Sequence, residues 1–156
     1  MTDSLLERIA KLDLQLPTPD GPAGNYVSTA ISQNMLYVSG QIPMQEGRPA
    51  YVGRVGEALS EEQGAAAAQL AALGLLAQLQ TVIGDDLSKL VRVVRLGVFV
   101  ACPTDFTRQG AVANGASNLL VSVLGEAGRH VRTSVGVSSL PAGVPVEADA
   151  IFELRP

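Results

Sequence analysis

Residues 131–137, VRTSVGV, and 146–154, VEADAIFEL, carry small or branched side chains at every second position. A period of two marks a strand with one covered face. In the first segment Val131, Thr133, Val135 and Val137 share a face, and Arg132, Ser134 and Gly136 share the other. In the second, Val146, Ala148 and Ala150 are opposed by Glu147, Asp149 and Ile151. Residues 90–101 are dense in valine without alternation, which predicts a strand covered on both faces. Two further strand-like runs, 25–32 and 35–42, flank Gln33-Asn34, where a tight turn fits because Asn accepts a positive φ.

Elsewhere the period lengthens. Ser60-Glu61-Glu62-Gln63 is a capping box, with the hydroxyl first, the amide three later and acids in the first turn. It opens an Ala- and Leu-rich helix over 60–82, ended by Gly84. A second helix is predicted from a cap at Thr104 or Asp105 to Leu124, where Gly125 stops it. A short amphipathic helix over 4–12 carries Leu5, Ile9 and Leu12 on one face. The Pro- and Gly-rich stretch 16–24 after it is a loop, and so is 44–58 with its glycines. The order is β-β-α-β-α-β-β with a hairpin at each end. It predicts one α+β domain over 1–156, a single sheet with two helices on one face, and 1–24 as a helical extension and loop. The other sheet face carries Val93, Arg95, Gly97 and Phe99. It is too apolar to stay in water, so an oligomer is expected.

Composition narrows the function. Charged residues are 17% and hydrophobic ones 47%, which excludes a disordered chain. Net charge is −4, the reverse of the basic excess of a nucleic-acid binder, and aromatics at 4% offer no stacking platform. The one cysteine, Cys102, forms no intrachain disulfide, and the one histidine, His130, allows no multi-histidine metal site. The N-terminus lacks the apolar core of a signal peptide, and no continuous apolar run has membrane length. A cytoplasmic protein without membrane contact is expected.

Candidate chemistry gathers in the last two strands. Paired across the link 138–145, they would set Ser134 opposite Asp149, with Arg132 and Glu147 one diagonal step away. Arg132, Ser134, Glu147 and Asp149 would then form a patch on the face away from the helices. Two readings stay open. Arg132 and Asp149 form a structural ion pair, or Arg132 clamps a carboxylate while Asp149 moves a proton. His130 reads as a solvated histidine without a triad partner, and Cys102 as inert packing at a strand end. Arg48 and Arg54 lie in a loop where an anion could meet them. The glycines match neither a P-loop nor a dinucleotide fingerprint.

The segments NYVSTAISQNMLYVSGQIP, RVVRLGVFVACPTDF and VRTSVGVSSLPAGVPVEADAIFEL together resemble the RidA/YjgF family of reactive-intermediate imine deaminases, also described as endoribonuclease L-PSP. The resemblance covers about residues 24–154. The N-terminal extension and the loop 44–58 resemble a longer subgroup. The family implies a chorismate-mutase-like fold and a homotrimer with a central β-barrel and clefts between subunits. It implies hydrolysis of small enamines and 2-imino acids to 2-keto acids and ammonia, with no metal or organic cofactor. Arg132 stands at the family's carboxylate-binding arginine. Asp149 stands where a glutamate usually assists the attacking water, and Ser134 where a backbone carbonyl helps to hold it. Tyr26, Ser39, Gly40 and Asn114 match cleft positions. The alternatives are a non-catalytic trimer that binds small carboxylates, as a sensor or chaperone-like module, and more distantly a ribonuclease.

Overall fold

A computed structural model describes residues 4–19 and 21–156. Residues 1–3 and 20, which belong to the expected extension and its loop, lie outside the described residues. The chain forms α1 (Leu5–Ala10), β1 (Thr29–Ser32), β2 (Met35–Gln41), a two-residue ladder of β3 (Met44–Gln45) with β4 (Arg48–Pro49), α2 (Glu61–Ile83), β5 (Leu90–Ala101), α3 (Gln109–Leu124), β6 (Val131–Val137) and β7 (Val146–Leu154). The main sheet has the order β1-β2-β7-β5-β6. This is the α+β architecture expected, with α2 and α3 covering one face.

Local chemistry explains most boundaries. Ser60 accepts from the Gln63 N–H at 3.1 Å and Gln63 returns a bond from the Ser60 N–H at 2.9 Å, which completes the capping box. Ser4 and Glu7 build a second box that starts α1, and α1 buries Leu5 and Ile9. Leu12 is 39% exposed, because the helix ends before it. In the first hairpin the positive φ falls on Gln33 rather than Asn34. Residues 25–28 precede β1 instead of extending it. α3 starts later than its expected cap at Thr104 or Asp105, and Arg108 caps it without a side-chain bond. Arg108 instead donates to both carboxylate oxygens of Glu61, at 2.6 and 2.9 Å.

α2 is long and apolar enough to cross a membrane. It was not visible as one apolar run because Gln and Gly, not charges, interrupt it. Its apolar side chains are buried in the core with the sheet and α3. The two helices meet at Gly115, where a Cβ would run into the Ala65 carbonyl oxygen. That oxygen belongs to helical backbone and cannot swing aside. Gly115→Ala is therefore expected to cost about 1–3 kcal/mol through overpacking. Urea unfolding checks this, and an unchanged midpoint would contradict the close approach.

The expected C-terminal hairpin does not form. β6 pairs in parallel with β5, and β7 pairs antiparallel with the other edge of β5. The reason lies in the order of elements. A strand followed by a helix and another strand closes as a parallel crossover unit. β5-α3-β6 is such a unit, and the link 138–145 then passes the end of β5. The face assignments change accordingly. Leu96 lies between Arg132 and Ala150, and Val98 between Ser134 and Ala148. Leu96, Val98, Ala148 and Ala150 are buried on the helix side, so Arg132 and Ser134 point to that side as well. Glu147 and Asp149 point to the open side, opposite Phe99 and Gly97. The single four-residue patch is therefore split between two faces. Val93 is also on the helix side, fully buried, because the ladder shifts between Val93 and Arg95. The open face still carries exposed Tyr37, Val131 and Val135.

Candidate functional site

Two clusters of polar side chains stand out, one on each side of the sheet. The first sits where β2 breaks its register with β7. Val38 pairs with Ala150 and Gln41 with Ala148, so Ser39 and Gly40 together oppose Asp149. That is a bulge, the device that re-aims side chains beside sites. It opens a cleft of about 300 Å³ bordered by Tyr26, Ser39, Gly40, Ile42, Pro141 and Glu147, among others. Gly40 lets the Glu147 carboxylate lie directly over the backbone, where a Cβ would displace it. Ser39 donates its hydroxyl to the Ser28 carbonyl at 3.2 Å. The Tyr26 hydroxyl oxygen accepts from the Ala23 N–H at 3.2 Å. Its own proton remains for a ligand in the cleft.

Glu147 is half-buried, and its carboxyl titrates above the usual carboxylate range. Burial, which disfavours the charged form, is the larger cause, and the Asp149 charge adds to it. The folded protein thus holds this proton more tightly than the unfolded chain does. The stability this gives is present below the unfolded-state pKa and is lost as pH rises through the raised folded value. Glu147→Gln is expected to melt at a higher temperature than the wild type at neutral pH, with the gap closing in acid. Thermal melts across pH check this; a lower melting temperature at neutral pH would contradict it.

Asp149 has a different neighbourhood. Its carboxylate packs on Gly97 and accepts from Arg95 Nη1 at 3.3 Å. The ion-pair partner of Asp149 is therefore Arg95, not Arg132. Both side chains are about two-fifths exposed, so the pair is worth little in a single chain.

The second cluster surrounds Arg132 on the edge strand β6. Its side chain folds onto the first turns of α3. Nη1 donates to Asn114 Oδ1 at 2.9 Å and Ser117 Oγ at 3.1 Å, and Nη2 to the Gly110 carbonyl at 3.4 Å. Asn114 and Ser117 are three residues apart and so share a helix face. All three acceptors are neutral. The guanidinium has no carboxylate partner among the described residues. Nε–H and one of the two Nη2 hydrogens make no bond among the described residues and remain for a planar anion. Ser134 shares this face two residues on. His130 is not simply solvated. It meets Ser117 Oγ at 2.9 Å and the Gly128 carbonyl at 2.6 Å. Cys102 is buried, as its strand-end position suggests. Arg54 bonds Glu57 and the Cys102 carbonyl and so ties down its loop.

A family model described as "YjgF/chorismate mutase-like, putative endoribonuclease" matches residues 7–144. The chain belongs to the YjgF/chorismate-mutase-like family. Protein TCP17 of Trypanosoma cruzi is a relative, 46% identical over 148 residues, covering 94% of this chain and 92% of that protein. The crystal structure of Atu1372 from Agrobacterium tumefaciens, a protein of unknown function, superposes with a TM-score of 0.91 at 45% identity, covering 97% of this chain and 92% of that one. A Shewanella oneidensis protein with the same endoribonuclease description gives a TM-score of 0.93 at 30% identity, covering 97% and 100%.

Within this YjgF-type fold, the positions singled out in the sequence fall into two groups. Tyr26, Ser39 and Gly40 are together in the cleft, and Arg132, Asn114 and Ser134 are together at the β6 edge. The sequence places Glu147 and Asp149 in one patch and gives the water-assisting position to Asp149; in the structure Glu147 borders the cleft and Asp149 sits beside Arg95. Gly40 was the available signal, because a glycine inside a strand marks a bulge or a close approach.

Proposed function

We propose that the protein is an enamine/imine deaminase that hydrolyses small 2-imino acids to 2-keto acids and ammonia, working as a homotrimer with clefts between subunits. The observation that carries this reading is Arg132, an exposed guanidinium held only by neutral acceptors and keeping a free fork. Such a group is built to receive a planar carboxylate.

Within one chain Arg132 cannot share a small ligand with Glu147. β5 separates their strands, which puts them roughly 10 Å apart across the sheet. They also point to opposite faces. A second copy whose cleft meets this β6 edge joins the two halves. The exposed apolar side chains of the open face favour such an assembly. Arg132 and Asn114 come from one subunit, and Tyr26, Ser39, Gly40 and Glu147 from the next.

The chemistry follows from that arrangement. Arg132 fixes the carboxylate and presents the C=N carbon. Glu147 takes a proton from water as the water oxygen bonds to that carbon, and the Ser134 carbonyl helps to orient the water. Glu147 passes that proton to nitrogen, which gives a tetrahedral carbinolamine. The hydroxyl proton of this intermediate is then transferred to nitrogen through Glu147 as the C–N bond breaks and C=O forms, so ammonia leaves the keto acid behind. A carboxyl with a raised pKa serves both steps better than an ordinary one, because it is closer to the working pH. Asp149, bound to Arg95, organises the open face instead.

The test uses an amino-acid oxidase to generate imines, with semicarbazide trapping what remains. Faster imine loss with protein than without supports the deaminase. Carboxylate binding without turnover leaves the binding trimer. The endoribonuclease description of the family is the competing reading. A net charge of −4 disfavours an RNA backbone, and RNA cleavage lost in Arg132→Ala would establish it.

A further inference from the structure

We infer that Ser117 and His130 form a positioning relay that holds the Arg132 guanidinium in its carboxylate-receiving orientation. This rests on the reading of Arg132 as the carboxylate clamp. The Gly128 carbonyl fixes the direction of the first bond, and for a neutral ring that fixes the second. The Gly128 carbonyl can only accept, so His130 Nδ1, at 2.6 Å, carries the proton. Nε2 of the neutral ring is then an acceptor. It faces Ser117 Oγ at 2.9 Å, so the serine proton is directed to the ring. The serine oxygen is thereby turned, lone pair first, to Arg132 Nη1 at 3.1 Å.

The far end of the relay is rigid. Gly128 is buried against α3, and a Cβ there would strike the Leu120 carbonyl oxygen. A serine hydroxyl alone rotates freely and an exposed arginine has many rotamers. His130 removes the first freedom and Ser117 part of the second. Asn114 takes the other Nη1 proton. What is left over is the Nε/Nη2 fork. His130 touches no reacting atom and acts only through Ser117.

The experiment measures the dissociation constant of 2-oxobutanoate, the keto acid expected from a four-carbon imine, by titration calorimetry on the assembled protein. Wild type is compared with Arg132→Ala, Ser117→Ala, His130→Phe, His130→Gln and the double variant Ser117→Ala/His130→Phe. His130→Phe is expected to weaken binding about three- to tenfold, as for loss of one ordinary hydrogen bond. His130→Gln, whose amide oxygen can accept from Ser117, should restore most of it. The double variant should be no weaker than Ser117→Ala alone, because the two residues act in series. Full affinity in His130→Phe, or strictly additive losses, would overturn the relay. Unchanged binding in Arg132→Ala would overturn the clamp itself and the relay with it. A second readout needs no assignment, because His130 is the only histidine. Long-range proton–nitrogen spectra should show Nδ1 protonated and Nε2 bare, and the opposite tautomer would overturn the relay.

Discussion

Arg132→Ala is expected to weaken binding of small 2-keto carboxylates by roughly 30- to 5,000-fold, the range for truncating one partner of a hydrogen-bonded charge pair that the closed cleft buries. Imine turnover should fall with it. The side chain is exposed and bonded only to Asn114, Ser117 and the Gly110 carbonyl. Its loss leaves no buried charge behind, so the melting temperature should barely move. Arg132→Lys tests the fork. A lysine keeps the charge but cannot present two parallel N–H groups, and it should recover only part of the affinity. Titration calorimetry with 2-oxobutanoate measures both. Unchanged affinity in Arg132→Ala would remove the carboxylate clamp.

The second large effect separates two neighbouring carboxylates. Glu147→Gln is expected to cut imine turnover by about 10²- to 10⁴-fold, the usual contribution of a placed acid–base group. Asp149→Asn should leave turnover within about threefold, because removing one member of an exposed pair has a small effect. The two lie two residues apart on the same strand face, so composition and spacing do not distinguish them. Their surroundings do. Glu147 leans over Gly40 into the cleft, and Asp149 sits on Gly97 beside Arg95. Glu147→Gln should still bind 2-oxobutanoate with near wild-type affinity, since the clamp is intact. A coupled imine assay reads turnover. The reverse ranking of the two variants would return the role to Asp149.

The elements were legible wherever one period ruled a segment. β5, β6 and β7 occupy the residues that valine density and alternation mark, and the box at Ser60 starts α2 where expected. Pairing was less legible. Alternation fixes which residues share a face on one strand but not which strand lies beside it. The link 138–145 was read as a hairpin loop, yet the crossover β5-α3-β6 claims the edge of β5. With that pairing the faces of Arg132 and Glu147 separate. The site divides for the same reason. Arg132 and Asn114 meet because a helix and the following strand pack together, a local relation. Tyr26, Ser39 and Glu147 meet through a bulge, which no periodicity announces. His130 looked solvated because its partner Ser117 lies on a helix face that alternation in β6 does not reveal.

Complementation between subunits tests the central claim most directly. Arg132→Ala and Glu147→Gln chains, each with a different affinity tag, are co-expressed and purified over both tags, and imine turnover is measured. In the proposed trimer each parent alone lacks one half of every cleft. In a mixed trimer of cyclic symmetry one cleft joins an intact Arg132 to an intact Glu147, so activity should recover to about a third of wild type. Activity no greater than that of the parents would contradict a site shared between copies of this chain.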